Sequence, residues 1–161
     1  MKILPAKECD LPIVFTIYER ARKFMRETGN PNQWRNTNPT ADQTRQDVKD
    51  GCLYLAVDED GIQGVFALIF GDDPTYAHID GAWPNNKPYA TIHRIASAGH
   101  KHGVLAECVR YAATRCDELR IDTHADNRVM QHLLNKLGFT HCGTIYLANG
   151  EPRLAYQKTL T

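Results

Sequence analysis

"YATIHRIASAGHKHGVLAECVRYA", Tyr89 to Ala112, changes its period halfway, and that change decides the fold. The first nine residues are an apolar run with β-branched side chains and read as a strand. Beyond Gly99-His100-Lys101-His102-Gly103 the apolar residues recur at helical spacing. Strand, tight turn and helix make a βα unit, whose ligands lie outside the carboxyl end of the strand. The first N–H groups of the helix have no partners there, so the turn suits an anion. Gly103 lets a phosphate approach the backbone, and His100, Lys101 and His102 add positive charge. The competing reading is a polar turn whose glycines serve only its geometry.

Downstream the alternation repeats. "LRIDTH" (119–124) reads as a strand, and "DNRVMQHLLNKLG" (126–138) as a helix with Asp126 as N-cap and Gly138 as its stop. "FTHCGTIYLANGEPRLAYQKTL" (139–160) reads as a hairpin turning at Asn149-Gly150. Upstream, "CLYLAVDEDGIQGVFALIF" (52–70) is a hairpin around an acidic turn, and "TADQTRQDVKDG" (40–51) a polar helix capped by Thr40. "DLPIVFTIYERARKFMRETG" (10–29) is an amphipathic helix with Asp10 as cap and an apolar face of Ile13, Ile17, Ala21, Phe24 and Met25. Residues 30–39 and 71–88 read as loops, and a loop as long as the second is more often functional than idle. Strand and helix alternating between hairpins predict an α/β chain with a mixed sheet, parallel at its centre and covered by helices on its faces.

Composition narrows the class. The 161 residues suit one domain spanning 1–161, and the 19 basic residues balance the 19 acidic ones, which recommends neither nucleic acid nor an anionic membrane as partner. Five cysteines without a CxxC pair point to free thiols and a cytoplasmic setting. No signal-like start and no apolar run of about 18 residues is present. The turn is neither GxGxxG nor GxxxxGK[ST], which excludes an ordinary dinucleotide site or phosphate-loop NTPase.

The order of elements, together with Asn127 and "NKLGF" (135–139), resembles the Gcn5-related N-acetyltransferase family over nearly the whole chain. In that family the loop runs Arg/Gln-x-x-Gly-x-Gly/Ala. Here His100 falls on the Arg/Gln position, Gly103 on the first glycine and Leu105 on the small position, where a leucine narrows the backbone approach. The resemblance implies a mostly antiparallel mixed sheet with a splayed central parallel pair. It also implies acetyl-CoA as co-substrate: Ile95, Ala96 and Ser97 would meet the pantetheine and acetyl carbonyl. His100, Lys101, His102, Gly103, Val104 and Leu105 would hold the pyrophosphate. Asn127 would reach the cofactor or else merely start its helix. A small-molecule or peptide amine is the implied acceptor, and a homodimer is compatible with the pattern.

Catalysis by direct attack needs a base and an acid. His93 is the candidate base, because period-2 geometry places it on one sheet face with Ile95; the alternative is a core histidine. The family's tyrosine acid falls at Leu133-Leu134 here, which leaves Tyr146 as a candidate substitute acid, the alternatives being an ordinary strand tyrosine and a thiolate that takes its proton from water. Trp34, Tyr76 and Trp83, aromatics in polar loops, with Asp72, Asp73 or Asp80 nearby, would form a pocket for a cationic amine. Two competing classes stay open: an acyl-CoA-binding module that transfers nothing, and a metal hydrolase with His100 and His102 among its ligands.

Overall fold

The strand Ala90–Ser97 predicted from the period change sits at the middle of an eight-stranded sheet. The computed structural model describes residues 1–161. In chain order the elements are β1 (Lys2–Pro5), α1 (Leu11–Glu27), α2 (Ala41–Lys49), β2 (Leu53–Asp58), β3 (Gly61–Phe70), β4 (Asp80–Gly81), β5 (Ala90–Ser97), α3 (Val104–Ala113), β6 (Glu118–Thr123), α4 (Arg128–Lys136), β7 (Thr140–Tyr146) and β8 (Pro152–Thr159). The sheet order is β1-β2-β3-β5-β6-β8-β7-β4. Every pairing is antiparallel except β5 with β6, and there the parallel register covers only Ala90 with Leu119 and Thr91 with Arg120. Beyond Thr91 and Arg120 the two strands part. No helix is long and apolar enough to cross a membrane.

Alternation in the strands sends side chains to two cores. Phe66, Leu68, Ala90, Ile92, Leu119 and Ile121 pack with Leu105, Cys108 and Val109 of α3 and Leu134 of α4 on one face. Val65, Ala67 and Ala96 pack with Val14, Ile17, Tyr18 and Ala21 of α1 on the other. The buried face of α1 is therefore rotated from the predicted one: Ile13 and Phe24 are exposed, and Leu11, Val14 and Tyr18 take their place.

Caps also differ from expectation. The Asp10 carboxylate accepts from the Lys7 N–H and closes a 3-10 turn (Glu8–Asp10) ahead of α1 instead of capping α1. Asn127, not Asp126, caps α4: its Oδ1 accepts from the Met130 N–H at 3.0 Å, a bond worth about 1 kcal/mol. Thr40 caps α2 as expected, accepting from the Gln43 N–H.

The long loop 71–89 is less irregular than its composition. Pro74–Tyr76 forms a 3-10 turn, started by the Asp73 carboxylate accepting from the Thr75 N–H. Asp80 and Gly81 pair with Thr144 and Gly143 of β7 and end the sheet. Gly81 and Gly143 have φ of 130° and 151°, and a Cβ on either would run into the backbone of the other strand. Only glycine permits that approach.

Candidate active site

Where β5 leaves β6, its alternation breaks. Arg94 adopts φ 51°, and the register against β3 slips between Val65 and Ala67. This is a β-bulge, which leaves a residue outside the ladder. As a result Ile92 and Ile95 both pack against the α3/α4 core, while Ala96 returns to the α1 core. His93 and Ile95 therefore do not share a face, which corrects the period-2 expectation. The bulge is held from outside the sheet. Arg94 donates to the buried Asp47 of α2 through Nε (2.6 Å) and Nη2 (3.0 Å), and the Tyr18 hydroxyl donates to the Arg94 carbonyl at 2.8 Å.

Two cavities meet at this point. The larger, about 670 Å³, lies between α1, the loop 97–103 and the starts of α3 and α4. All ten residues assigned to the cofactor, from Ile95 to Leu105 and Asn127, line it. The smaller, about 210 Å³, is lined by Trp34, His93, Arg94, Asp122, Thr123 and Leu147 among others. Met25, Ile95, Asn127 and Met130 border both.

Within the larger cavity, Gly103 begins α3 at φ 98°, and a Cβ there would meet nothing within 4 Å, so the approach to the helix N-terminus is open. The leucine that was expected to crowd this turn does not: Leu105 points into the core and is 5 % exposed. Lys101 also behaves differently from expectation. Its Nζ pairs with Asp58 and Asp60 of the β2–β3 turn, hydrogen bonds that push its own pKa up and hold the Asp58 carboxyl down at about 2. Its charge is thus already matched. Arg20 of α1 lies against Gly99, donates to the Ser97 carbonyl at 3.2 Å and lines the cavity; no charge pattern in the sequence singles it out. Lysine 101 and Arg20 give a direct comparison. Lys101→Ala is expected to change CoA affinity less than about threefold and Arg20→Ala to weaken it about tenfold, an ion contact to phosphate being worth about 1.5 kcal/mol. Calorimetric titration of CoA into both variants decides it, and the reverse ranking would return the pyrophosphate to Lys101.

In the smaller cavity the ladder register gives the geometry. Thr91 stands opposite Arg120, so His93 and Asp122, each two residues further on, occupy matching positions on the two diverging strands and face the same side. Both are held by the 3-10 turn of the long loop. His93 Nε2 lies 2.7 Å from Asp73 Oδ2, and the Tyr76 hydroxyl donates to Asp122 Oδ2 at 2.7 Å. Burial raises the Asp73 carboxyl, but hydrogen bonds from His93 and Thr75 outweigh it and hold the group at about 2. An ionised Asp73 accepts from Nε2–H, which leaves Nδ1 of His93 as the basic nitrogen. Asp122 moves the other way: burial pushes its carboxyl up, against the Tyr76 hydrogen bond and the nearby His93 and Arg153.

The remaining predicted site residues are dispersed. Trp34 lines the smaller cavity and packs edge-on against Tyr18. Tyr76 is buried, and Trp83 packs on it and donates to its carbonyl, so both close one end of the core rather than lining the cavity. Asp80 accepts from the exposed Tyr146 hydroxyl on the β4–β7 edge, and neither lines either cavity. His100 and His102 meet no third ligand; the one cluster of potential ligand atoms is Asp58, Glu59 and Asp60, already engaged by Lys101. At the family's tyrosine position Leu134 is in the core and Leu133 lines the larger cavity. Asn127 caps α4, as one of the two readings had it; it also borders both cavities and donates to Gln33 at 2.9 Å.

No protein-family model matches the chain, and no curated protein matches its sequence. Solved structures do. A GNAT-family acetyltransferase from Streptococcus agalactiae is 31 % identical, covers 98 % of this chain and 94 % of its own, and superposes with a TM-score of 0.86. A GNAT-family acetyltransferase from Listeria monocytogenes (17 % identity, 98 % and 94 % coverage, TM-score 0.71) shares the fold. So does a ribosomal-protein-alanine N-acetyltransferase from Brucella melitensis (20 % identity, 99 % of both chains, TM-score 0.64). The split parallel pair and the near-complete likeness to the streptococcal protein agree, and the chain belongs to the GNAT family of acetyltransferases.

Proposed function

We propose that the protein transfers the acetyl group of acetyl-CoA to a primary amine by direct attack. The observation that carries the reading is the meeting of an open helix N-terminus cavity with a smaller cavity bearing His93 at the split between β5 and β6. The residues fit the co-substrate. The N–H groups at the start of α3, free at Gly103, suit a pyrophosphate, with Arg20 and Lys136 adding charge and His100 and His102 on the rim. Ala96, Ser97 and the apolar Met25, Met130 and Leu133 suit the pantetheine arm.

At the bulge, a backbone N–H of Arg94-Ile95 outside the ladder would polarise the thioester carbonyl; one such donor contributes about 100- to 1,000-fold in rate. His93, aimed by Asp73, is a base at the amine. None of the five cysteines lines either cavity, so no thiol is placed to carry the acetyl group. α4 offers no hydroxyl over the larger cavity, and the departing sulfur takes its proton from water.

Thermal unfolding with and without acetyl-CoA tests the binding half. At a hundred times its dissociation constant the ligand adds about 2.7 kcal/mol, a rise of roughly 5 to 10 °C for a chain of this length. Release of CoA thiol in the presence of amines tests the transfer half. His93→Ala is expected to lower turnover about 100-fold or more while leaving acetyl-CoA affinity unchanged. Binding without any amine-dependent thiol release would turn the protein into an acyl-CoA-binding module.

A further inference from the structure

Asp122 is less fully engaged than Asp47, Asp58, Asp73 or Glu118. Asp47 is paired with Arg94 and Gln43, Asp58 with Lys101 and Gln63, Asp73 with His93 and Thr75, and Glu118 with Asn85, Gln157 and Thr159. Asp122 has one donor, the Tyr76 hydroxyl on Oδ2, and no cation within ion-pair distance. Its other oxygen, Oδ1, has no partner, and the side chain lines the smaller cavity. A half-buried carboxylate whose free oxygen opens onto a cavity is placed to accept from a donor that enters it. The groups around it are Tyr76 and Asp73 of the loop, His93 of β5 and Arg153 of β8. Arg153 is itself engaged by Glu151 and by the Pro152 and Gln33 carbonyls.

We propose that Asp122 anchors the ammonium of the acceptor and takes its first proton, facing His93 across the split, so that the site selects a cationic primary amine carried on a narrow arm. This rests on the acetyl-transfer reading above. Two protons must leave the nitrogen, and the cavity holds two bases. The first passes from the ammonium to Asp122, which frees the lone pair. The N–C bond then forms and the C–S bond breaks. The second, released as the nitrogen becomes an amide, passes to Nδ1 of His93. One proton finally resides on the CoA sulfur and the other in solvent. The cavity, at about 210 Å³, is smaller than the roughly 300 Å³ at which ligand pockets begin, so it admits an arm rather than a whole acceptor. Trp34, Met25, Met130 and Leu147 give that arm apolar walls.

The test uses propylammonium and, as its uncharged counterpart, propanol. In wild-type protein with CoA present, the carboxyl carbon of Asp122 is followed by NMR across a pH titration. Propylammonium is expected to move that titration to lower pH and propanol to leave it in place. No movement with propylammonium, or equal movement with both, overturns the proposal. In Asp122→Asn, which keeps an acceptor for Tyr76, propylammonium affinity is expected to fall at least tenfold and kcat/KM for its acetylation roughly 100- to 10,000-fold, with CoA affinity within twofold. Unchanged propylammonium affinity and kcat/KM in that variant overturn it as well. Tyr76→Phe removes a hydrogen bond that favours the carboxylate, so the acid limb of kcat/KM is expected to shift to higher pH; a positioning role for Tyr76 is refuted by a fixed limb. Failure of wild type to bind CoA would sink acetyl transfer alone, since the carboxyl titration with propylammonium still decides the anchor.

Discussion

Gly103→Asp is expected to remove measurable acetyl-CoA binding. The residue starts α3 at φ 98°, which strains any side chain placed there, but the space that side chain would enter is open, so the backbone cost is one the asparagine control shares. What changes is charge. A carboxylate about 4 Å from a pyrophosphate oxygen costs about 4 kcal/mol at an effective dielectric of 20, close to a thousandfold in affinity. Gly103→Asn is the control, because asparagine tolerates the same backbone region and carries no charge. Titration calorimetry should find the asparagine variant within about tenfold of wild type and the aspartate variant beyond detection. Equal affinities in the two would remove the pyrophosphate from this turn.

The largest stability effect is expected from Asp47→Ala. Asp47 is 2 % exposed and receives both Arg94 nitrogens, so its removal strands a guanidinium on a backbone already held at positive φ. Breaking a buried pair in this way costs about 3 to 5 kcal/mol, and the partial exposure of Arg94 favours the lower end. A loss of about 3 kcal/mol lowers the midpoint by roughly 6 to 12 °C. Turnover should fall further than the folded fraction does, because Arg94 is the bulge that sets the neighbouring backbone. Urea unfolding and kcat at a temperature where the variant stays folded separate the two effects. A stability loss below 1 kcal/mol would show that the bulge is held by Tyr18 and the strand ladder instead.

How much was legible in the sequence follows from the range of each signal. The strand and helix alternation, the Thr40 cap and the turns at Asp58–Gly61 and Asn149-Gly150 are local, and the structure keeps them. The bulge at Arg94 was not legible, because nothing in "TIHRIAS" marks the residue that leaves the ladder; its partners lie in α1 and α2. That single slip reversed the face assigned to Ile95. Lys101 looked free because its partners precede it by about forty residues, across a turn. Asp122 was read only as a strand residue in "RIDTH", since its significance depends on a register with β5 and on Tyr76 arriving from a loop. The long loop reads in the sequence as more often functional than idle. Its contribution is Asp73 and Tyr76 behind the site rather than an aromatic wall over it.

The short parallel seam has a mechanical meaning. Only Ala90–Leu119 and Thr91–Arg120 join the half-sheet β1-β2-β3-β5 to the half-sheet β6-β8-β7-β4, so the least bonded seam of the sheet runs through the candidate active site. One apolar cluster spans the seam beneath α3 and α4, and the 3-10 turn grips both strands from the opposite face. A molecule lodged in the split acts as a wedge and a rivet together. It holds the halves at the separation at which His93 and Asp122 face one another, and amide exchange should slow in β5 and β6 alike. Stiffness and the alignment of His93 with Asp122 would then be one property of the loaded protein.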